Sequence, residues 1–561
     1  MDLVLALHSH LPYVLNHGRW PHGSDWICEA AVDTYLPLLE MLNGLEVEGV
    51  RSPITLGITP ILAAQLAHPT FADELEAFFQ QRLAACDEAI ADFRQTGETT
   101  LTPIAEYWRG RLARLARLFE RLDGDMTGAF RRHEEAGRIE LISSAATHGF
   151  LPLLGRDESV LFQLVLGRHE HRRLFGKDPT GCWAPECAYR PRGRWHPHPD
   201  ARPQENRRGI EELIGQTGYR YFFTDSHLAQ AGRSLGLYRE ADFPGETMAA
   251  ADDPLNLPAA RSPYRGYLVA PRPERPSVAT LVRDPHSSRV VWSRHQGYPG
   301  DGEYLEFHKI RFPGGLKFWR VTDPTADLGG KERYDPNGAR ARAQGHAESY
   351  ARVLREIAAK VAPEGGELIA VPFDTELFGH WWFEGIDFLT DLYRVLDQGT
   401  SPRPTTVSEH FERRPPAAAV ELAEGSWGAN GDFSKWLNPA TEWTWVRLWR
   451  AEDRFWNAVD HALGDPEAEE VLSQAARELL LAQSSDWQFI ISSATAGDYA
   501  AKRFGEHLEN LERLLAPLES RVITIEARLL AADLHRRNDV FPDILPALAT
   551  ARSVGRASAL R

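Results

Sequence analysis

The chain has 561 residues and carries 63 Lys and Arg against 79 Asp and Glu, a formal net charge of −16. That balance argues against nucleic acid or an anionic membrane as the main partner. Four cysteines in a chain of this length make no disulfide framework, and the length itself supports a large core and two or three domains.

Residues 3–7 are a short apolar run ending in His8-Ser-His10-Leu-Pro-Tyr13. With no basic flank and no cleavage site, this start reads as a first strand and not as a signal peptide. No stretch of 18 apolar residues follows anywhere, so no membrane span is predicted and a cytoplasmic location is expected. His8 and His10 lie two apart, on one face of the strand. His8 reads as a hydrogen-bonded structural histidine. A second strand over 54–58 leads into Thr59-Pro60 and a helical insertion at about 70–136. A strand over 139–143 then runs into Thr147-His148-Gly149, with Glu140 expected to orient its neighbours. A helix over 159–175 precedes Cys182-Trp-Ala-Pro-Glu186-Cys187. The two cysteines here read as packing.

Another helix near 206–217 precedes a strand that ends at Asp225. Strand, polar or aromatic tip, helix: the recurrence argues for a parallel barrel or a doubly wound sheet. Residues 226–276 break it, being rich in Gly, Pro, Ala and Asp, and read as a lid over the site. Strand character resumes over 277–282, before Arg283 and Asp284, and again at 290–292. A helix over 339–361 feeds the run Leu368-Ile-Ala-Val-Pro-Phe-Asp374. A connection follows at about 401–416, then Glu424-Gly-Ser-Trp427 through Asp432 and Trp436. From there the pattern is amphipathic helix to about residue 536, and 537–561 read as a tail.

Two acids stand at the ends of strand-like runs, Glu186 and Asp374. They are 188 positions apart, so only a fold that returns strand ends to one face brings them together. Barrel enzymes place catalytic groups at such ends, and two carboxylates flanking a glycosidic bond are what sugar transfer requires. Sixteen tryptophans, Trp381 and Trp382 among them, lean the same way, because a sugar ring stacks on a flat apolar face.

Five stretches carry a family resemblance: His8 to Tyr13; Gly137-Arg-Ile-Glu140 with Thr147-His148-Gly149; Trp183-Ala-Pro-Glu186-Cys-Ala-Tyr189; Pro372-Phe-Asp374 through Trp382; and Gly425-Ser-Trp427 through Trp436. Their order and spacing resemble glycoside hydrolase family 57, and within it the 1,4-α-glucan branching enzymes, over roughly residues 1–530. The resemblance implies an incomplete (β/α)7 barrel with a helical insertion over about 1–400, then an α-helical C-terminal domain over about 401–536. It implies a retaining mechanism with Glu186 as nucleophile and Asp374 as general acid/base, their carboxyls about 5–5.5 Å apart. His10 and His148 fall on subsite histidines. Trp292, Trp427 and Trp436 fall on aromatic positions that guide the glucan, with Trp20 or Trp26 as further members. Trp382, Arg283 and Asp432 are also expected to meet substrate; relatives need a loop tyrosine for transfer over hydrolysis, and of the segment's main aromatics, Tyr238 and Tyr264, Tyr238 is the candidate for that place. The implied partner is an α-1,4-glucan, with no cofactor, and the protein is expected to be a monomer or small homo-oligomer.

A 4-α-glucanotransferase or an α-amylase on the same scaffold shares the first half-reaction. A metal-dependent barrel hydrolase or deacetylase would use His8, His10, His148 and Asp225 as ligands, but their spacing fits no metal motif and leaves both acids idle. A glycan-binding protein on an inactive barrel is disfavoured because both acids are present.

Overall fold

The structure, a computed structural model, describes residues 1–19, 21–229, 262–272, 275–292, 297–323 and 325–559. Trp20 and Tyr238, and most of the segment expected to form a lid, lie outside the described residues.

Seven parallel strands follow one another in chain order: β1 (Asp2–Ser9), β2 (Ile54–Ile58), β3 (Ile139–Ser144), β4 (Gly181–Trp183), β5 (Tyr221–Thr224), and, after an inserted strand β6 (Gly266–Val269), β7 (Ala279–Val282) and β8 (Leu368–Asp374). The pairing runs β8-β1-β2-β3-β4-β5-β7. Strands buried on both faces need no polar alternation, which is why Leu368 to Phe373 reads as one apolar run. Between β7 and β8 the ring meets only at a bridge from Arg283 to Ala370. The barrel is therefore incomplete, as the resemblance implies. The register on the other side of β8 is long, from Asp2 opposite Leu368 to His8 opposite Asp374. It sets His8 next to a strand-end acid.

Helices Pro69–Thr96, Thr102–Arg121 and Met126–Glu135 fill the insertion between β2 and β3. Two expectations need correction in the region of the lid. Residues 266–269 are strand β6, antiparallel to β7, and Ser226–Ala229 is a turn of helix. The apolar pair before Trp292 is not a strand either. Pro285–Trp292 is a helix, started by Asp284, whose carboxylate accepts from the Ser287 amide at 2.8 Å.

Beyond the barrel the chain is helical from Glu442 onward. Helix Gly497–Ser520 packs on Glu442–Ala462, Glu469–Ala482 and Asp486–Ser493. The expected tail is a further correction. Ile544–Ala559 is a helix that packs against the barrel helix Asp157–Phe175 and buries Ile544, Ala547, Leu548 and Ala551. Small residues at helical spacing let the two axes approach closely, and that reads from sequence as little to bury. Ending the chain after Asp543 strips this cover from Asp157–Phe175. The expected outcome is a lower thermal unfolding midpoint by differential scanning calorimetry, and an unchanged midpoint would contradict the packing described.

Candidate active site

The C-terminal ends of β1, β3, β4 and β8 open into a cavity of about 870 Å³ lined by both strand-end acids. Glu186 stands in a tight turn directly after β4, at φ 60° and ψ 21°. His148, after β3, has φ 57°, and Cys187 has φ 46°. Left-handed backbone at a residue with a Cβ costs about 1 kcal/mol or more. Here it aims two side chains back over the mouth of the barrel.

The turn is held from outside the barrel. The Trp427 amide donates to the Glu186 carbonyl at 3.0 Å, and its indole Nε1–H donates to Glu186 Oε2 at 2.9 Å. Tyr189 and Gly425 exchange backbone hydrogen bonds at 2.8 and 3.0 Å. The second carboxylate oxygen, Oε1, accepts from Ser485 Oγ at 3.3 Å. Ser485 also meets His148 Nδ1 at 3.0 Å, and His148 Nε2 lies 2.9 Å from His8 Nε2. His8 stacks flat on Trp183 with centroids 4.5 Å apart.

His10 is fixed on three sides. Its Nε2 meets Asp486 Oδ2 at 2.8 Å, its Nδ1 meets Thr59 Oγ1 at 3.1 Å, and its amide donates to Glu376 Oε1 at 3.2 Å. Glu376 also accepts the hydroxyl of Tyr35, a residue of the π-helical turn Ala31–Tyr35, a geometry often found at functional positions. Gly379 allows the loop after Asp374 to lie against that turn. It has φ 116°, and a Cβ there would fall 2.0 Å from the Asp33 carbonyl oxygen.

Burial dominates the electrostatics. It raises Glu186 to about 7, an effect opposed by the Trp427 hydrogen bond and reinforced by the charge of Asp374. Asp374 is raised well above the usual carboxylate range, by burial first and then by Glu376, with Arg283 pulling the other way. Glu376 goes to about 7 by burial, against its bond from Tyr35. Burial pushes Asp486 up as well, but the charge and hydrogen bond of His10, with His148 and the Ser484 hydroxyl, together hold it below the usual carboxylate range. Burial pushes His8 and His148 well down, so both are neutral. Of the raised acids, Glu376 is committed to Tyr35 and His10. Asp374 receives no side-chain or backbone donor among the described residues and faces the cavity. It is the acid placed to hold a mobile proton.

The aromatic expectations divide. Trp26, Trp292, Trp427 and Trp436 all line the cavity. Trp427 sits between Trp183 and Trp292, with centroids 5.3 and 6.1 Å away. Trp436 forms wall, fully buried with its face on Phe150 at 4.5 Å. Trp382 is a correction. It is 1% exposed and packed among Tyr304, Phe378 and Phe388, and its neighbour Trp381, 44% exposed, faces the cavity instead. A short turn after β8 sends consecutive side chains to opposite sides. Arg283 is a second correction. It lies buried behind Trp427, over that ring at 5.8 Å, and pairs with Asp225 at 3.0 Å. Asp432 is a third: it is exposed, and its carboxylate caps the amide of Ser434 at 2.9 Å. Glu140 anchors the barrel floor through Tyr221, Thr55 and Ser408. Tyr264 donates to Asp284 at 3.0 Å and is buried away from the cavity. Among the described residues, no group of three or more His, Cys, Asp or Glu side chains is arranged to hold a metal ion.

Sequence reasoning missed Ser485 and Asp486. They start a helix in Ser484-Ser-Asp-Trp487, a polar break in a helical domain that reads as an ordinary cap. Nothing local says that this cap points into a cavity built by residues 300 positions earlier.

A sequence profile described as glycosyl hydrolase family 57 matches residues 4–423. The chain belongs to this family. A second profile, described as 1,4-alpha-glucan branching enzyme, C-terminal, matches residues 447–548. The chain is 37% identical over 550 residues to a 1,4-alpha-glucan branching enzyme of Thermococcus kodakarensis, covering 97% of this chain and 78% of the relative. The solved family 57 branching enzyme of Pyrococcus horikoshii superposes with a TM-score of 0.85 at 34% identity, covering 98% of this chain and 96% of that one. The alpha-amylase AmyC of Thermotoga maritima gives 0.77 at 27% identity, covering 98% and 99%.

Three outcomes follow from the geometry. Trp427→Phe removes the indole donor that holds Glu186 down, so Glu186 titrates above its present value. A hydrogen bond to a charged group contributes about 1.5–3 kcal/mol, or roughly one to two pH units. The acidic limb of the pH profile for glycoside cleavage should therefore move upward, and an unmoved limb would show that the indole does not tune Glu186. Trp382→Ala should destabilise by about 3–5 kcal/mol through cavity formation. Trp381→Ala should leave unfolding unchanged within about 0.5 kcal/mol and raise KM, as read by denaturation and steady-state kinetics.

Proposed function

We propose that the protein is a 1,4-α-glucan branching enzyme that works with retention. Glu186 attacks the anomeric carbon while Asp374 protonates the departing glycosidic oxygen, leaving a glycosyl ester on Glu186. Asp374, now ionised, takes the proton from the C6 hydroxyl of an acceptor glucan as that oxygen displaces Glu186. The net change is one α-1,4 link broken and one α-1,6 link formed. Trp26, Trp292, Trp381 and Trp427 offer faces to the sugar rings, and His10 and His148, held by Asp486 and Ser485, flank the reacting sugar.

The observation that carries this reading is the origin of Ser485 and Asp486. Both come from the helical domain whose sequence matches the branching-enzyme C-terminal profile; Asp486 lines the cavity and holds His10, and Ser485, buried behind it, bonds Glu186. That domain is part of the site and not an appendage. A glycogen-type polymer made in the cytoplasm is the physiological setting we assign. No helix among the described residues is long and apolar enough to cross a membrane. The likeness to an alpha-amylase at 27% identity favours hydrolysis as the second reading, since the two reactions differ only in what meets the glycosyl ester.

Incubation with amylose, followed by isoamylase digestion and reducing-end counting, decides between them. New isoamylase-sensitive linkages are expected, with loss of at least about 10³ in rate for Glu186→Gln. Reducing ends released before isoamylase, without new branches, would make the protein a hydrolase. An unchanged polymer would overturn the α-glucan assignment.

A further inference from the structure

A second cavity, of about 780 Å³, lies away from the acids where the barrel meets the helical domain. Its walls come from the segment after β3, from the small hairpin of Gly193–Trp195 and Gln204–Arg207, from Arg275, and from helix Glu442–Ala462. In a chain of net charge −16 this cavity is the opposite of its surroundings, with seven arginines against four carboxylates in its lining.

Most of those arginines are spoken for. Asp157 pairs with Arg207 at 2.5 Å and with Arg208 at 2.9 Å. Arg156 meets Asp453 at 3.1 Å, and Arg192 meets Glu212 at 2.6 Å, where Arg275 also converges. Arg207 is further fixed by stacking on Trp195, 5.0 Å from the ring centre. Two are left over. Arg202 and Arg450, both exposed at the rim, have no carboxylate partner among the described residues. They come from different domains and face one cavity. Arg207 and Arg208, buried and sharing the single carboxylate of Asp157, leave a net positive floor, and unpaired planar guanidiniums suit bidentate capture of a phosphate. The cavity is much larger than one phosphate needs. Asp200 and Asn206 also line it and can hydrogen-bond hydroxyls, as a sugar ring would require.

We propose that this cavity is a binding site for a hexose phosphate ester, with Arg202 and Arg450 as its phosphate clamp. The ester clamps helix Glu442–Ala462 to the barrel. The wall also connects with the active site. The Gly155 amide donates to Glu452 at 2.6 Å, Gln483 donates to Glu452 at 2.8 Å, and Gln163 donates to Gln483 at 2.9 Å and to Thr147 at 2.8 Å. Gln483 and Thr147 are near neighbours in sequence of Ser485 and His148.

The same chemistry has two sources, a free sugar phosphate or a phosphate ester carried on a glucan chain. The test uses the full-length protein, isothermal titration and thermal unfolding, with glucose 6-phosphate, a phosphorylated amylopectin fragment, inorganic phosphate and glucose as probes. Saturable binding of either ester is expected, with a raised unfolding midpoint. Binding should weaken at least tenfold in Arg202→Gln/Arg450→Gln, whose exposed positions leave the fold intact, and should weaken with added salt. Preference for the free ester marks a small-molecule effector site, and preference for the fragment marks an anchoring site for the polymer. Binding unchanged in the double variant, an equal response to glucose, or no saturable response to either ester would overturn the proposal. Inorganic phosphate binding as tightly as the esters would overturn its sugar half.

Discussion

Everything in the site depends on how Glu186 is held. Its left-handed turn gives up backbone freedom for position, and a turn of that kind persists only where its surroundings over-determine it. The surroundings here are a segment that enters after all seven barrel strands are complete. Trp427 grips both the carbonyl and the carboxylate of Glu186, and Gly425 is bonded in both directions to Tyr189. The barrel alone supplies the acid, and the chain beyond the barrel fixes its direction.

The second constraint is desolvation. Two carboxyls in one aromatic-lined cavity are both driven towards the protonated form by burial, and a neighbouring carboxylate adds to this, Asp374 for Glu186 and Glu376 for Asp374. What separates their roles is hydrogen bonding. Glu186 receives an indole N–H and a hydroxyl, both of which stabilise its anion, whereas Asp374 receives neither. Environment therefore suits residues of nearly the same intrinsic acidity to the two roles proposed above, nucleophile for Glu186 and acid for Asp374. Glu376, equally buried and equally raised, is removed from the chemistry because Tyr35 and His10 occupy it.

Much of this was legible in the sequence because strand ends in a parallel barrel are local features. An apolar run that stops at an acid, as at Phe373-Asp374, carries its own meaning, and so does Trp-Ala-Pro-Glu186. The family wording then joined the two. What sequence did not carry was direction and distance. Trp381 and Trp382 are indistinguishable as letters, and only the turn after β8 sends one to the cavity and the other to the core. Arg283 follows a strand, as a substrate ligand might, yet Asp225 turns it behind Trp427. Asp486 carries no local signal, because its partner His10 lies at the other end of the chain. The last helix was unreadable for a different reason: Ala547 and Ala551 bury little each, and their value lies in the close approach they permit.

The hydrogen bonds around Glu186 also fix the proton positions in the histidine cluster. Ser485 Oγ donates to Glu186 Oε1, so its lone pairs are free to accept, and His148 must present Nδ1–H to it. A neutral His148 then has a bare Nε2, which accepts from His8 Nε2–H at 2.9 Å. His8 Nδ1 is left without a proton, and it is buried with no partner among the described residues. An acceptor without a donor costs less than a buried N–H without an acceptor. The chain of donors runs in one direction, from His8 through His148 and Ser485 to Glu186, and every member of it favours the anion of Glu186. Protonating His148 would set its Nε2–H against that of His8 and break the order, and protonating His8 would bury an Nδ1–H with no acceptor among the described residues. Their burial below Trp183 and beside the helical domain, which keeps both neutral, thus serves the same end as the indole of Trp427.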